Sequence, residues 1–166
     1  MPVENTHLGN KVIILSNQVK HYLHQAAEAE GISGSQSRIL HFLALESGKR
    51  EIYQKDVEDK FYLRRSTVTQ TLQSMEKNGL IIRCSVSKDA RLKKLVLTDY
   101  GWELNTRIDS KVEEMERYLA HNLSEEEITA FYQIIEKMSR NMIEIGVPKD
   151  TCCDPFNDAK KGETSC

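Results

Sequence analysis

The chain has no long apolar run. The longest are four residues each, Val12 to Leu15 and Phe42 to Leu45, far short of the ~20 that a membrane-spanning helix needs. Its start offers no positive stretch followed by an apolar one, so no secretory signal is read there. The expected location is the cytoplasm, with no membrane partner. Cysteine is scarce and cannot staple a core: of four, at 84, 152, 153 and 166, three fall in the last fifteen residues. Adjacent Cys152 and Cys153 would rarely bond each other, because the intervening peptide strains the geometry, and reduced thiols are expected in a cytosolic protein. Catalytic signatures are missing too. There is no phosphate-cradling Gly loop, no His-Glu-x-x-His, and no Ser or Cys in a nucleophile motif. The chain is therefore not expected to be an enzyme or to need a cofactor.

Acid is missing from one stretch in particular. Residues 62–98 hold eight Lys or Arg and two acids, a net of +6, whereas the whole chain is −2 and the remainder is therefore −8. A near-neutral total hides a concentrated positive patch, which is the electrostatic footprint of a nucleic-acid binder.

Apolar periodicity organises the rest. Leu8, Val12, Leu15, Val19, Leu23 and Ala26 recur at three and four, predicting a first helix that stops at Gly31. Ser33 and Gln36 form a capping box for a second helix filled by Ile39, Leu40, Phe42, Leu43 and Ala44 and ended by Gly48. A short third helix is expected near Tyr53 to Lys60, with Val57 and Phe61 inward. The fourth runs from about Arg65 to Lys77, with Val68, Leu72 and Met75 on one face and Asn78-Gly79 as its terminator. Strands are read at Leu80 to Ser85 and Leu92 to Thr98, the second placing Leu95 and Leu97 opposite Lys94, Val96 and Thr98. Tyr100-Gly101 leads into a long helix lined by Leu104, Ile108, Val112, Met115 and Leu119. Ser124 to Glu127 caps the last helix, which carries Ile128, Phe131, Ile135, Met138 and Met142 and ends at Gly146-Val-Pro148. The fold class is mainly α with a small β-hairpin. The chain divides into an N-terminal helix at 1–31, a winged helix-turn-helix domain at 32–100, C-terminal helices at 101–146 and a tail at 147–166 that is read as disordered.

Two short helices in succession have the shape of a helix-turn-helix, whose second helix enters the major groove of DNA. On the fourth helix, Ser66, Gln70, Gln73 and Lys77 point away from the apolar face, and none is acidic. Gln can pair with adenine through two hydrogen bonds, and Ser or Thr (here also Thr67 and Thr69) can bond base edges or phosphates. Arg64 and Arg65 stand at the helix start, where free backbone N–H groups also favour a phosphate. At the hairpin tip, Lys88, Asp89 and Arg91, with Lys93 and Lys94 following, suit an adjoining minor groove. Asp89 there reads as a partner that presets the Arg91 guanidinium.

These residues resemble a known family. Ser33-x-x-Gln36, Ser66-Thr67-Val68-Thr69, Leu72, Glu76-Lys-Asn-Gly79-Leu80-Ile-x-Arg83, Asp89-x-Arg91 and Leu97-Thr98-x-x-Gly101 are similar to the MarR family of winged-helix regulators over about residues 8 to 145. The resemblance implies a homodimer, joined through the first and last two helices, that binds a pseudo-palindromic double-stranded operator. It also implies repression relieved by a small-molecule effector or by oxidation, with an effector pocket between the dimer helices and the wing domain. Ala90 departs from the pattern, since many members carry another Arg or polar residue there.

Signal-sensing residues are less legible. The family's peroxide-sensing cysteine at the first helix has no counterpart here. Cys84, beside Arg83, reads as a small buried side chain or, alternatively, as a thiol whose pKa the cation lowers. Cys152, Cys153 and Cys166 motivate a second functional class, a thiol-based redox or metal sensor that uses the winged helix as scaffold. His21 and His24 share a helical face near Glu28, but no full zinc set is evident and solvated histidines are expected. Tyr22, Phe42 and Tyr53 are candidates for an effector pocket or for core. Met115, Met138 and Met142 read as packing residues.

Overall fold

The computed structural model describes residues 7–86 and 89–147, with residues 86 and 89–92 described by backbone alone. Six helices and one hairpin follow in the order α1 (Leu8–Ala29), α2 (Gly34–Glu46), α3 (Gln54–Phe61), α4 (Arg65–Lys77), β1 (Ile81–Val86), β2 (Asp89–Leu97), α5 (Asp99–Leu119) and α6 (Glu125–Glu144). The predicted tail from residue 148 onward, with Cys152, Cys153 and Cys166, lies outside the described residues.

Caps account for several of these boundaries. Ser33 Oγ accepts the Gln36 N–H while Gln36 Oε1 accepts the Ser33 N–H, which satisfies two otherwise orphaned donors at the start of α2. Gln36 Nε2 then donates to Ser74 Oγ, 3.1 Å away on α4, so one buried amide both starts α2 and fixes α4 against it. Ser124 and Glu127 repeat the reciprocal cap at α6. At α3 the Asp56 carboxylate accepts the Tyr53 N–H and an Arg50 N–H. Burial alone would raise the Asp56 pKa, but these two partners outweigh it and hold the carboxyl below its ordinary value.

The core lies where α2, α4, the hairpin and the start of α5 meet. Val68, Leu72 and Met75 are all 0% exposed there, beside Ile39, Leu40, Leu43, Ile52, Val57, Leu80, Ile81 and Leu104. Antiparallel pairing sets Ile81 opposite Leu97 and Arg83 opposite Leu95. Leu95 and Leu97 therefore face the core, as the alternation requires. The Leu95 N–H also donates to Ile52 O, and Tyr53 bridges Lys94, so the segment before α3 extends the hairpin's edge.

Three details depart from the sequence reading. β2 begins at Asp89 rather than Leu92, because the ladder extends through polar residues that no apolar alternation marks. Cys84 is exposed, not buried. With Ile81 and Arg83 turned inward, strand alternation puts Ile82 and Cys84 outside. Gly101 is not a lead-in but a buried residue of α5, which starts at Asp99 under a Thr98 cap.

Thr98 and Gly101 act together. The Thr98 hydroxyl donates to Gly79 O and accepts the Gly101 N–H, tying the end of α4 to the start of α5. A Cβ on Gly101 would overlap the Leu80 carbonyl oxygen, which is backbone and cannot swing aside. Gly101→Ala gains about 1 kcal/mol of helix propensity but must push α5 off the sheet. A net loss of about 2–4 kcal/mol is expected. Thermal unfolding should show it as a Tm lower by roughly 5–15 °C; an unchanged or higher Tm would contradict this packing.

The apolar stripe predicted on α1 is real as a stripe but is not a core face within one chain. Leu8, Val12 and Leu15 are exposed, and Ala27 is the one buried residue of that helix. On α6 no residue is buried, and Phe131, Ile135 and Met142 stand exposed along one side. Leu119, at the end of α5, is exposed as well.

Candidate nucleic-acid interface

Helix α4 stands on its apolar edge, which fixes what its far side presents. At about 100° per residue, Ser66, Gln70, Gln73 and Lys77 form a ridge within roughly a 60° arc, opposite Val68, Leu72 and Met75. All four are exposed. Thr67 is exposed beside the ridge. Thr69 is turned toward α3: its hydroxyl donates to Arg65 O and accepts from Gln54 Nε2, each at 2.8 Å. The fold thus uses that hydroxyl to join the two helices.

The start of α4 differs from those of α2, α5 and α6, whose N-cap hydroxyls each accept a backbone N–H. Arg64 occupies the N-cap and provides no side-chain cap, so no N-cap side chain answers the positive end of the helix dipole there. Arg64 and Arg65 are exposed there. Arg64, Arg65, Lys77 and Lys93 pair with no carboxylate among the described residues. Two other cations of the basic stretch are partly neutralised. Lys94 Nζ lies 3.1 Å from Glu51 Oε1. Arg83 Nε lies 3.3 Å from Glu76 Oε2, an ion pair poorly aligned for a hydrogen bond, so buried Nε and Nη2 have no hydrogen-bond partner among the described residues.

These two pairs connect the hairpin to α4 and to the segment before α3. Arg83 is 16% exposed and reaches from β1 to α4. Glu51 accepts from the Tyr53 hydroxyl at 2.7 Å and from Lys94, and these bonds hold its pKa below the usual value. The same contact raises that of Tyr53. Between α3, the start of α4 and the hairpin lies an open cavity of about 370 Å3, lined by Tyr53, Gln54, Arg65, Arg83, Lys93 and Leu95 among others. Gln54 is not among the residues anticipated on this surface, whereas Arg83 belongs to the basic stretch and Tyr53 to the pocket candidates. The available signal was slight: Gln54 and Glu58 sit one turn apart, and their hydrogen bond forms.

The structure sets Ser66, Gln70, Gln73 and Lys77 on the exposed ridge of α4, Arg64 and Arg65 at the start of that helix, Thr67 beside the ridge, Thr69 toward α3, and Lys93 on β2, where it lines the cavity with Arg65. Lys88 and the side chains of Asp89 and Arg91 lie outside the described residues, and with them the anticipated Asp89–Arg91 pair. Phe42, a pocket candidate, is buried core, edge-on to Phe61 with centroids 5.7 Å apart. His41 Nδ1 lies 2.9 Å from Asp109 Oδ1, linking α2 to α5, and Asn105 Nδ2 donates to the same carboxylate. His24 pairs with Glu28 on α1. Among the described residues no three His, Cys, Asp or Glu are gathered to hold a metal, and no helix is long and apolar enough to cross a membrane.

Known proteins share this arrangement. A family model described as MarR family matches residues 30–92, the span from the α2 cap through the hairpin. The transcription regulator MarR of Oenococcus oeni PSU-1 is 31% identical, with the match covering 79% of this chain and 97% of that one at a TM-score of 0.60. The chain belongs to the MarR family. An uncharacterized HTH-type transcriptional regulator of Bacillus subtilis, YdgJ, is 33% identical over 111 residues, 65% of each protein. A Staphylococcus aureus MepR–DNA complex superposes at a TM-score of 0.65 with 27% identity, covering 79% of this chain and 93% of that one. Membership explains the Leu97-Thr98-x-x-Gly101 signature physically. Leu97 fills the core, Thr98 caps α5, and Gly101 permits close contact with Leu80.

Proposed function

We propose that this MarR-family protein is a DNA-binding transcriptional regulator that acts as a homodimer on a pseudo-palindromic operator, represses from it, and is released by a small ligand or another signal. It works by binding rather than by catalysis, in the cytoplasm. The observation that carries this reading is the acid-free ridge of α4, flanked by Arg64, Arg65 and Lys93, which have no carboxylate partners among the described residues. Such a surface gains affinity by releasing counterions from duplex DNA. The MepR–DNA complex supports it by likeness.

The apolar rows of α1, α5 and α6 support the homodimer. Exposed apolar rows of this extent mark interfaces, and two-fold pairing would set two α4 ridges about one helical turn apart, roughly 10 base pairs. A reporter gene placed behind the region upstream of this protein's own gene tests the regulatory reading. Expression should rise when the protein is deleted and fall when it is restored. Equal expression in both cases, with purified protein failing to shift that DNA, would contradict it.

A further inference from the structure

We propose that each protomer reads two neighbouring adenines in the major groove, one with Gln70 and one with Gln73. The inference rests on the operator-binding reading of α4 and adds the identity of the bases. Four glutamines of the helix-turn-helix region divide into two kinds. Gln36 and Gln54 spend their amides inside the fold, on Ser74 and on Glu58 and Thr69. Gln70 and Gln73 are exposed, and neither amide has a hydrogen-bond partner among the described residues. They occupy the middle of the exposed ridge.

Their spacing matches adjacent steps of a duplex. Three residues of α-helix rise about 4.5 Å, against about 3.4 Å per base on one strand. An amide presents one acceptor and two donors. Adenine offers the complementary pair, an N6 amino donor and an N7 acceptor, whereas guanine offers two acceptors, N7 and O6, and is matched by Arg or Lys. No Arg lies on the ridge, and its one cation, Lys77, ends the helix. Arg65, about 100° off the ridge, lines the cavity toward the hairpin instead. The chemistry therefore favours an adenine pair over guanine at the centre of each half-site.

The test begins with selection of binding sites from random duplexes by the full-length protein. Each adenine of the selected half-site is then replaced by 7-deazaadenine, which removes the N7 acceptor and leaves base pairing intact. Wild-type affinity should fall roughly five- to a hundredfold at two adjacent positions. Gln70→Ala should lose that sensitivity at one position and Gln73→Ala at the other. Both variants should keep the wild-type thermal unfolding midpoint, which shows that they fold. A half-site centred on guanine, or deaza effects equal in wild type and variants, would overturn the adenine assignment while leaving operator binding standing. Failure of the wild type to bind any duplex would instead overturn the reading beneath it.

Discussion

An Ile135→Glu chain is expected to sediment as a monomer at micromolar concentration and to bind an operator duplex on the order of a hundred- to a thousandfold more weakly than wild type. Ile135 lies in the middle of the α6 row formed with Ile128, Phe131, Met138 and Met142. Within one chain that helix has no buried residue and Ile135 is 37% exposed, so the new carboxylate can reach solvent there. In the proposed homodimer it would be buried twice, once per protomer, since a two-fold interface uses the same patch on both sides. An unpaired buried charge costs several kcal/mol. Losing the second binding module then removes avidity, a factor of about 10²–10⁴. Sedimentation and fluorescence anisotropy measure the two effects separately. A dimer that survives the substitution would place the interface elsewhere.

The second large effect concerns the start of α4. Arg64→Ala combined with Arg65→Ala removes two exposed cations from each protomer, four from a dimer, beside N–H groups that no side chain caps. In the proposed complex these cations meet phosphate, so binding should weaken on all sequences alike, by roughly a hundred- to a thousandfold at physiological salt. The slope of log affinity against log salt should become shallower by about three to four, at ~0.9 for each phosphate left unneutralised. This distinguishes the pair from Gln70 and Gln73, whose loss should alter base preference and leave the slope unchanged. An unaltered slope would show that these arginines do not meet the backbone.

Much of this surface was legible in the amino-acid order because its causes are local. Ser33 with Gln36, and Ser124 with Glu127, are caps three residues apart, and both form. The α4 stripe of Val68, Leu72 and Met75 fixes the opposite ridge by helical geometry alone. What escaped depends on partners distant in the chain. The exposure of Cys84 follows from the register that pairs Arg83 with Leu95 and turns both inward. The cavity beside the hairpin draws on Tyr53, Arg65, Arg83 and Lys93, brought together from four separate segments. Gly101 reads in sequence as part of a lead-in to the long helix. Its actual role, close approach to the Leu80 carbonyl, exists only once α5 is docked.

The central claim is that two copies of one basic helix-and-hairpin surface sit together on a single duplex. Sedimentation velocity of the wild-type protein mixed with a duplex from the region upstream of its own gene tests it most directly. A discrete complex of two chains per duplex is expected, dissociating steeply as salt rises. A complex of one chain per duplex, or none even at low ionic strength, would contradict it.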